Sequence, residues 1–275
     1  MQKPLKIGII GGGNLGSAIA EGLAASDVLP SENITISRRR MHLLEYLKKE
    51  DIRITDNNKV VVENNSIIII AVKPHQLMEI LREISTTLDP NKHLVISAVT
   101  GVSIKEIRAI IPKVPVFRAM PNTAIALRES MTCIAGDETR KESFGLIKEI
   151  FSRLGEVVVI NEELMGAATV TGACGIAFAL RFMRAMSQGG IEIGFGSELS
   201  QFITAQTIKG ASKLILESGN HPEREIDKVT TPQGITISGL NEMEHQGFSS
   251  SVIKGLITSH CKLERLAEQK KNGKK

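Results

Sequence analysis

"IGIIGGGNLGSAIAEGL", residues 7–23, decides the fold. A short apolar strand runs into Gly11-x-Gly13-x-x-Gly16, and apolar residues then recur at helical spacing. A bare GxGxxG says little. Placed between a strand and an amphipathic helix, it has the context that a dinucleotide-binding turn requires. Gly11 permits the tight turn, Gly13 lets the backbone approach a pyrophosphate, and Gly16 lets the helix close on the sheet. Asn14 and Leu15 open that helix, whose free N–H groups face the anion. Gly11, Gly13, Asn14, Leu15 and Gly16 are therefore the first candidate cofactor-binding residues.

The segments on either side extend this pattern. Residues 6–10, 33–37, 66–72, 93–99, 114–120 and 155–160 are apolar and β-branched, as strands are, while 15–26 and 41–50 have helical spacing. Alternating strands and helices predict a parallel sheet. After Asn161 the texture changes. Residues 172–186, 197–219 and 250–269 predict long helices, the second capped by Ser197 and ended by Gly219 ahead of Pro222. The predicted fold class is α/β: an N-terminal Rossmann dinucleotide-binding domain over residues 1–160, followed by an all-helical domain over 161–275.

The end of the second strand selects the dinucleotide. NAD-binding folds often carry an acid there for the ribose 2′-OH. This chain reads "ISRRR", residues 36–40, with no carboxylate to repel a 2′-phosphate. Ser37, Arg38 and Arg39 offer a hydroxyl and guanidiniums to bind one. NADPH is the predicted cofactor, with NADH as a weaker alternative.

Composition removes other classes. With 42% hydrophobic residues among 275, the chain is globular. Its longest apolar run, "IIIIAV" at 67–72, is far short of the roughly 20 residues of a membrane span. The N-terminus reads as a first strand rather than a signal peptide. Cys133, Cys174 and Cys261 are isolated, which fits a cytoplasmic location and neither zinc nor a disulfide framework. The net charge of +4 equals the four lysines of the tail "QKKNGKK", residues 269–275, predicted to be a frayed, solvated end. With one Tyr and no Trp, nothing suits nucleic-acid binding. His42, His93, His221, His245 and His260 show no metal spacing and read as surface or helix-end residues, and His75 follows "AVKP".

In the helical half, "VTTPQGITISGL", residues 229–240, is unusual. Thr231 suits an N-cap and Pro232 the first helical position. The N–H groups of Gly234, Ile235 and Thr236 would then be orphan donors, favourable to a carboxylate.

Four stretches taken together resemble the pyrroline-5-carboxylate reductase family: "IGIIGGGNLGSAIAEGL", "AVKPHQ" (71–76), "RAMPNT" (118–123) and "VTTPQGITISGLNEME" (229–244). Order and spacing match over nearly the whole chain. The resemblance implies NAD(P)H-dependent reduction of a cyclic imine carboxylate to proline. It also implies a helical domain that intertwines with a second subunit, as a homodimer or larger assembly. It places Asn58 near the adenosine ribose, Ala71, Val72, Lys73 and Pro74 against the cofactor, and Met120, Pro121 and Asn122 near the nicotinamide. Thr236 matches the family's hydroxyl beside the imine nitrogen, with Thr231, Gly234, Ile235 and Cys174 in the substrate site. A bound iminium accepts hydride directly, so positioning and electrostatics suffice without a strong general acid. Three positions depart from the family's usual pattern: "GACGIA" (172–177) replaces Ser-Gly-Ser-Gly-Pro-Ala, Gln233 replaces a Gly, and Ala124 replaces a Pro. A reductase of another cyclic imine acid and a non-catalytic NADP-binding regulator are the alternatives. A 3-hydroxyacid dehydrogenase is disfavoured, because "GACGIAFALR" lacks the expected Lys.

Overall fold

The computed structural model describes residues 5–137 and 139–272. The sheet is built from β1 (Ile7–Ile10), β2 (Ile34–Ser37), β3 (Arg53–Thr55), β4 (Ile67–Ile70), β5 (Leu94–Ser97), β6 (Val116–Met120), β7 (Ser130–Ala135) and β8 (Gly155–Val159). Their order is β3-β2-β1-β4-β5-β6-β7-β8. The first six follow the order 3-2-1-4-5-6 of a dinucleotide-binding sheet. Apolar clusters lie on both faces. One contains Ile9, Ile19, Leu23, Leu44 and Phe151, the other Ile10, Ile68, Leu81, Val95 and Ile107. Both-face burial explains why the central strands are continuously apolar.

The predicted all-parallel sheet needs one correction: β7 runs antiparallel to β6. Only residues 121–129 join the two, and a parallel return needs a crossover of a dozen or more. Asn122 caps the 3₁₀ turn Thr123–Leu127 that makes the short connection, its Oδ1 accepting the Ala124 N–H at 3.0 Å. Neither β3, three residues long, nor β7, "SMTCIA", has the β-branched run that marks a strand in sequence. His93 is also corrected. It is buried, accepts the Asp89 N–H at Nδ1 (2.8 Å) and faces the Val62 carbonyl through Nε2 (3.0 Å). Burial lowers its proton affinity.

The helices of the sheet domain are α1 (Asn14–Ala24), α2 (Asn58–Asn64), α3 (Leu77–Ile84), α4 (Ile104–Arg108) and α5 (Lys141–Ser152). The predicted helix 41–50 is a 3₁₀ segment, Met41–Glu50. After β8 come α6 (Met165–Ala168), a π-helical turn at Thr169–Cys174, α7 (Gly175–Glu192), α8 (Ser197–Ser218), α9 (Pro222–Asp227), α10 (Ile235–His245) and α11 (Phe248–Asn272). The cap of α8 is Gly196 rather than Ser197, and Gly219 ends it in the left-handed region as predicted. Since α11 reaches Asn272, the tail begins as helix, and its last residues lie outside the described residues.

Contacts divide the chain after Cys174 and before His260, so that Gly175–Ser259 forms a separate compact unit. Within that unit α7 and α8 pair. Gly190 leaves room for Ser200, whose hydroxyl donates to the Ser187 carbonyl at 2.7 Å. Only Ser200 and Thr204 are buried there, and no apolar side chain is. Leu216, Ile193 and Phe202 are 78%, 80% and 69% exposed. The helical stretch Glu162–Glu192 is long and apolar enough to cross a membrane by length and composition alone.

An ion pair between a buried Arg118 and a half-buried Glu162 joins β6 to the chain after β8. Arg118 is 5% exposed, and its guanidinium lies 3.2 Å from Oε1 of Glu162. The same oxygen accepts the Ile104 N–H that opens α4, at 2.7 Å. Burial lowers the proton affinity of Arg118, and Glu162 opposes that effect. Glu162→Ala should cost about 2–3 kcal/mol by leaving a buried cation without its partner. Adding Arg118→Met should recover most of that loss in thermal melts at fixed protein concentration. A double variant no more stable than Glu162→Ala would show that the stranded charge is not the cause.

Candidate functional site

The glycine loop follows from three close approaches. Gly11 has φ 107°, and a Cβ there would lie 2.6 Å from both the Ala71 carbonyl oxygen and Val72 Cγ1. The loop after β4, at Ala71 and Val72, therefore lies directly against it. At Gly16 a Cβ would overlap the Gly11 carbonyl oxygen, so α1 sits as close to the strand end as backbone permits. The Gly11 and Gly12 N–H groups donate to the Ser37 carbonyl at 3.1 and 2.8 Å, tying the end of β1 to the end of β2.

Gly13 is the N-cap of α1, with no side-chain cap. The N–H groups of Asn14, Leu15 and Gly16 are thus the orphan donors of this helix. A Cβ on Gly13 would meet no protein atom within 4 Å. Open space, free donors and the positive end of a helix dipole together fit a diphosphate.

At the end of β2 the structure adds detail that the sequence could not give. Arg38 reaches back to the loop and donates to the Gly12 carbonyl at 2.8 Å. Arg39 and Arg40 are exposed. Ser37 is buried, and its hydroxyl donates to Asn58 Oδ1 at 2.7 Å. Ser37 is therefore placed beneath the surface, and its hydroxyl holds Asn58. Asn58 opens α2 and donates from Nδ2 to Glu83 Oε2 at 3.0 Å. Nothing in the spacing of the sequence connects Glu83, on α3, to this place.

Lys73 is exposed and Pro74 half-buried in the loop before α3, which Gln76 closes by donating its N–H to the Lys73 carbonyl at 2.9 Å. His75 is exposed. Met120 and Pro121 are buried, Met120 among Cys133, Ala135 and Met165. Asn122 spends its polar atoms on protein: besides its cap, Nδ2 donates to the Gly172 carbonyl at 3.2 Å and its N–H to Ser130 Oγ at 3.1 Å. Its place in the structure is that of a brace between β6, β7 and the π-helical turn. Cys174 is half-buried at the end of the π-helical turn. Such turns interrupt helices at functional sites more often than elsewhere. Among the described residues no cluster of His, Cys, Asp and Glu could hold a metal.

Thr231, Gly234, Ile235 and Thr236 lie in the other compact unit. There the predicted cap is corrected. The N-cap of α10 is Gly234, not Thr231. Gln233 has φ 58°, and the Gly234 N–H donates to the Thr231 carbonyl at 2.9 Å, so residues 231–234 form a tight turn. A left-handed residue cannot continue a helix, so Pro232 lies in the turn and α10 starts at Ile235. The orphan donors are consequently Ile235, Thr236 and Ile237, because the turn uses that of Gly234. The threonine hydroxyls divide their work. Thr230 closes α9 by donating to the Ile226 and Asp227 carbonyls, both at 3.2 Å. Thr231 Oγ1 would lie 2.5 Å from a Cβ on Gly234, which fixes glycine there. Thr236 is exposed, and its hydroxyl has no hydrogen-bond partner among the described residues.

A glycine-cradled helix on this sheet order, with arginines at the end of β2, defines a nicotinamide-dinucleotide oxidoreductase with an appended helical unit. The model "NADP oxidoreductase coenzyme F420-dependent" matches residues 6–101, and "Pyrroline-5-carboxylate reductase dimerisation" matches 162–266. A pyrroline-5-carboxylate reductase 1 of Dictyostelium discoideum is 46% identical over 98% of this chain, which spans about half of that relative's length (51%). Pyrroline-5-carboxylate reductase 2 of the same organism is 42% identical over 92% of this chain and 90% of its own. The crystal structure of Plasmodium falciparum pyrroline carboxylate reductase with NADP bound has a TM-score of 0.86 at 25% identity, covering 96% of this chain and 98% of that one. The chain belongs to the pyrroline-5-carboxylate reductase family.

Two substitutions test the site. Gly13→Ala adds a methyl only to open space, so it should cost under about 1 kcal/mol of stability and weaken NADPH binding about tenfold or more. Calorimetric titration beside a thermal melt separates it from Gly16→Ala, which must displace the Gly11 carbonyl and should destabilise the fold. Equal NADPH affinity in wild type and Gly13→Ala would remove the anion from this cradle. Gln233→Gly should stabilise the helical unit by about 1 kcal/mol, because it relieves a side chain held in the left-handed region. A lowered melting temperature would show that the Gln233 side chain makes a compensating contact.

Proposed function

We propose that this chain catalyses NADPH-dependent reduction of 1-pyrroline-5-carboxylate to L-proline. The observation that carries the mechanism is the start of α10. It has no side-chain cap, three orphan N–H groups, and on its second residue the unpartnered hydroxyl of Thr236. When bound, the reduced dinucleotide supplies a hydride. In our reading the N–H groups of Ile235, Thr236 and Ile237, with the dipole of α10, hold the substrate carboxylate. Thr236 Oγ1 bonds the ring nitrogen, whose acceptor strength grows as the C=N π bond becomes a lone pair on an amine. Thr231 and Gly234 shape the turn that aims these donors. The iminium already carries its proton, so no residue has to deliver one during hydride transfer.

Cofactor binding follows the same residue-level reading. Asn14, Leu15 and Gly16 take the diphosphate over Gly11 and Gly13, and Arg38, Arg39 and Asn58 take the adenosine end, with Ser37 anchoring Asn58. Ala71, Val72, Lys73 and Pro74 wall the cleft, and Met120, Pro121 and Asn122 back the nicotinamide side. We assign residues 1–160 to the cofactor and 161–275 to the substrate and dimerisation domain. The exposed apolar faces of Gly175–Ser259 support a homodimer or larger assembly, since so much apolar surface is unstable against water alone. The same need explains the apolar stretch Glu162–Glu192 without a membrane. Three free cysteines suit the cytoplasm.

Assaying NADPH oxidation with pyrroline-5-carboxylate beside a six-membered cyclic imine acid tests the substrate. Faster turnover of the six-membered ring would overturn the choice. Thr236→Val keeps the shape and removes the hydroxyl. Turnover should fall one to two decades, as for a hydrogen bond worth about 1.5–3 kcal/mol, with NADPH affinity unchanged. Wild-type turnover in that variant would leave the helix N-terminus as the motif's only role.

A further inference from the structure

The end of β2 lacks an acid in sequence, yet the fold brings one there. Glu83, one residue before the end of α3, accepts from Asn58 Nδ2 at 3.0 Å, and Asn58 Oδ1 accepts from the buried Ser37 hydroxyl at 2.7 Å. An ionised carboxylate only accepts, so Glu83 compels the Asn58 amide to present its NH₂ toward α3 and its oxygen toward Ser37. Glu83 is exposed, and among the described residues it has no ion-pair partner. Its charge is therefore not neutralised by the protein.

We infer that Glu83 is a specificity-determining residue that sets the balance between NADPH and NADH. It acts on the Asn58 amide from the end opposite to Ser37, the last residue of β2. Its carboxylate opposes a 2′-phosphate by charge and favours a free ribose hydroxyl, the role an acid at the end of β2 plays in NAD-binding folds. Arg38 and Arg39 attract the phosphate, so the two groups pull selectivity in opposite directions. This rests on the cofactor reading above and adds the residue that limits its preference for NADPH. Glu83 acts as a positioning residue on Asn58 and, through its charge, on the adenosine end of the ligand.

Glu83→Gln preserves an acceptor for Asn58 and removes the charge. The probes are adenosine 2′,5′-bisphosphate and 5′-AMP, which report the adenosine end without the nicotinamide or any turnover. Titrating both into the full chain at low salt, the variant should raise the preference for the 2′-phosphorylated probe about fivefold or more, as expected for one partly screened like charge. The gain should shrink in 0.5 M salt, roughly as screening requires. KM for NADPH should fall relative to KM for NADH. A preference within about twofold of wild type would overturn the inference, because a charge removed at this site would have done nothing. A wild-type chain that binds neither probe would overturn the cofactor reading, and this inference with it. If wild type binds both and only the ratio fails to move, the cofactor reading stands and the role of Glu83 falls.

Discussion

Everything at the cofactor end depends on one backbone contact. The Gly11 carbonyl oxygen occupies the place where residue 16 would carry a Cβ. That approach fixes the angle and depth of α1 against β1. From it follow the aim of the free N–H groups, the open space above Gly13, and the packing of Gly22, farther along α1, against the Ile125 carbonyl. The other side of the loop is held as tightly, by Ala71 and Val72 on Gly11 and by the Ser37 carbonyl on two glycine N–H groups. A rigid cradle is a thermodynamic advantage, because no loop entropy is lost when the ligand arrives.

This half was the more legible in sequence for a physical reason. Strands buried on both faces must be continuously apolar, so β1, β4 and β5 announce themselves, and a glycine required by contact and by φ cannot be replaced. What stayed hidden came from tertiary pairing. The three-residue β3 and the strand β7, which carries Ser130 and Thr132 among its apolar residues, exist because neighbours offer them a ladder, and no local pattern encodes that. His93 looks like any surface histidine until the Asp89 N–H and Val62 carbonyl enclose it. Glu83 lies 25 residues beyond Asn58 in the chain, and only the stacking of α3 beside α2 brings its carboxylate to the Asn58 amide.

The helical unit poses the opposite problem. Its apolar stripes were readable and pointed to a homodimer, and within one chain they cover nothing. Leu216, Ile193 and Phe202 point to water, and the buried positions are two hydroxyl side chains that let α7 and α8 approach. Apolar surface on this scale is a statement about assembly. The neighbouring stretch Glu162–Glu192 is long and apolar enough to cross a membrane by length and composition, since lipid and a second protein surface ask for the same side chains. Family membership decides between them: the matched model for this region is a dimerisation domain.

The two binding ends use glycine at a helix N-cap for different reasons. Gly13 and Gly234 both cap a helix with no side-chain bond, at φ −82° and −74°, angles open to any residue. Neither glycine is there for backbone freedom. At Gly13 the missing side chain leaves space on the outside of the loop, where a ligand belongs. At Gly234 the missing side chain makes room on the inside, for Thr231 within its own turn. The backbone freedom that glycine usually supplies is needed one residue earlier, at Gln233, where the family commonly places a glycine and this chain does not. That displacement is why the cap looked like Thr231 in sequence. A Thr-Pro pair reads as cap and first turn unless the following residue is known to be left-handed, and a glutamine gives no hint of it. Thr236 falls on the second residue of α10 once the helix starts at Ile235. There its hydroxyl stands beside the same orphan N–H groups that would hold a carboxylate.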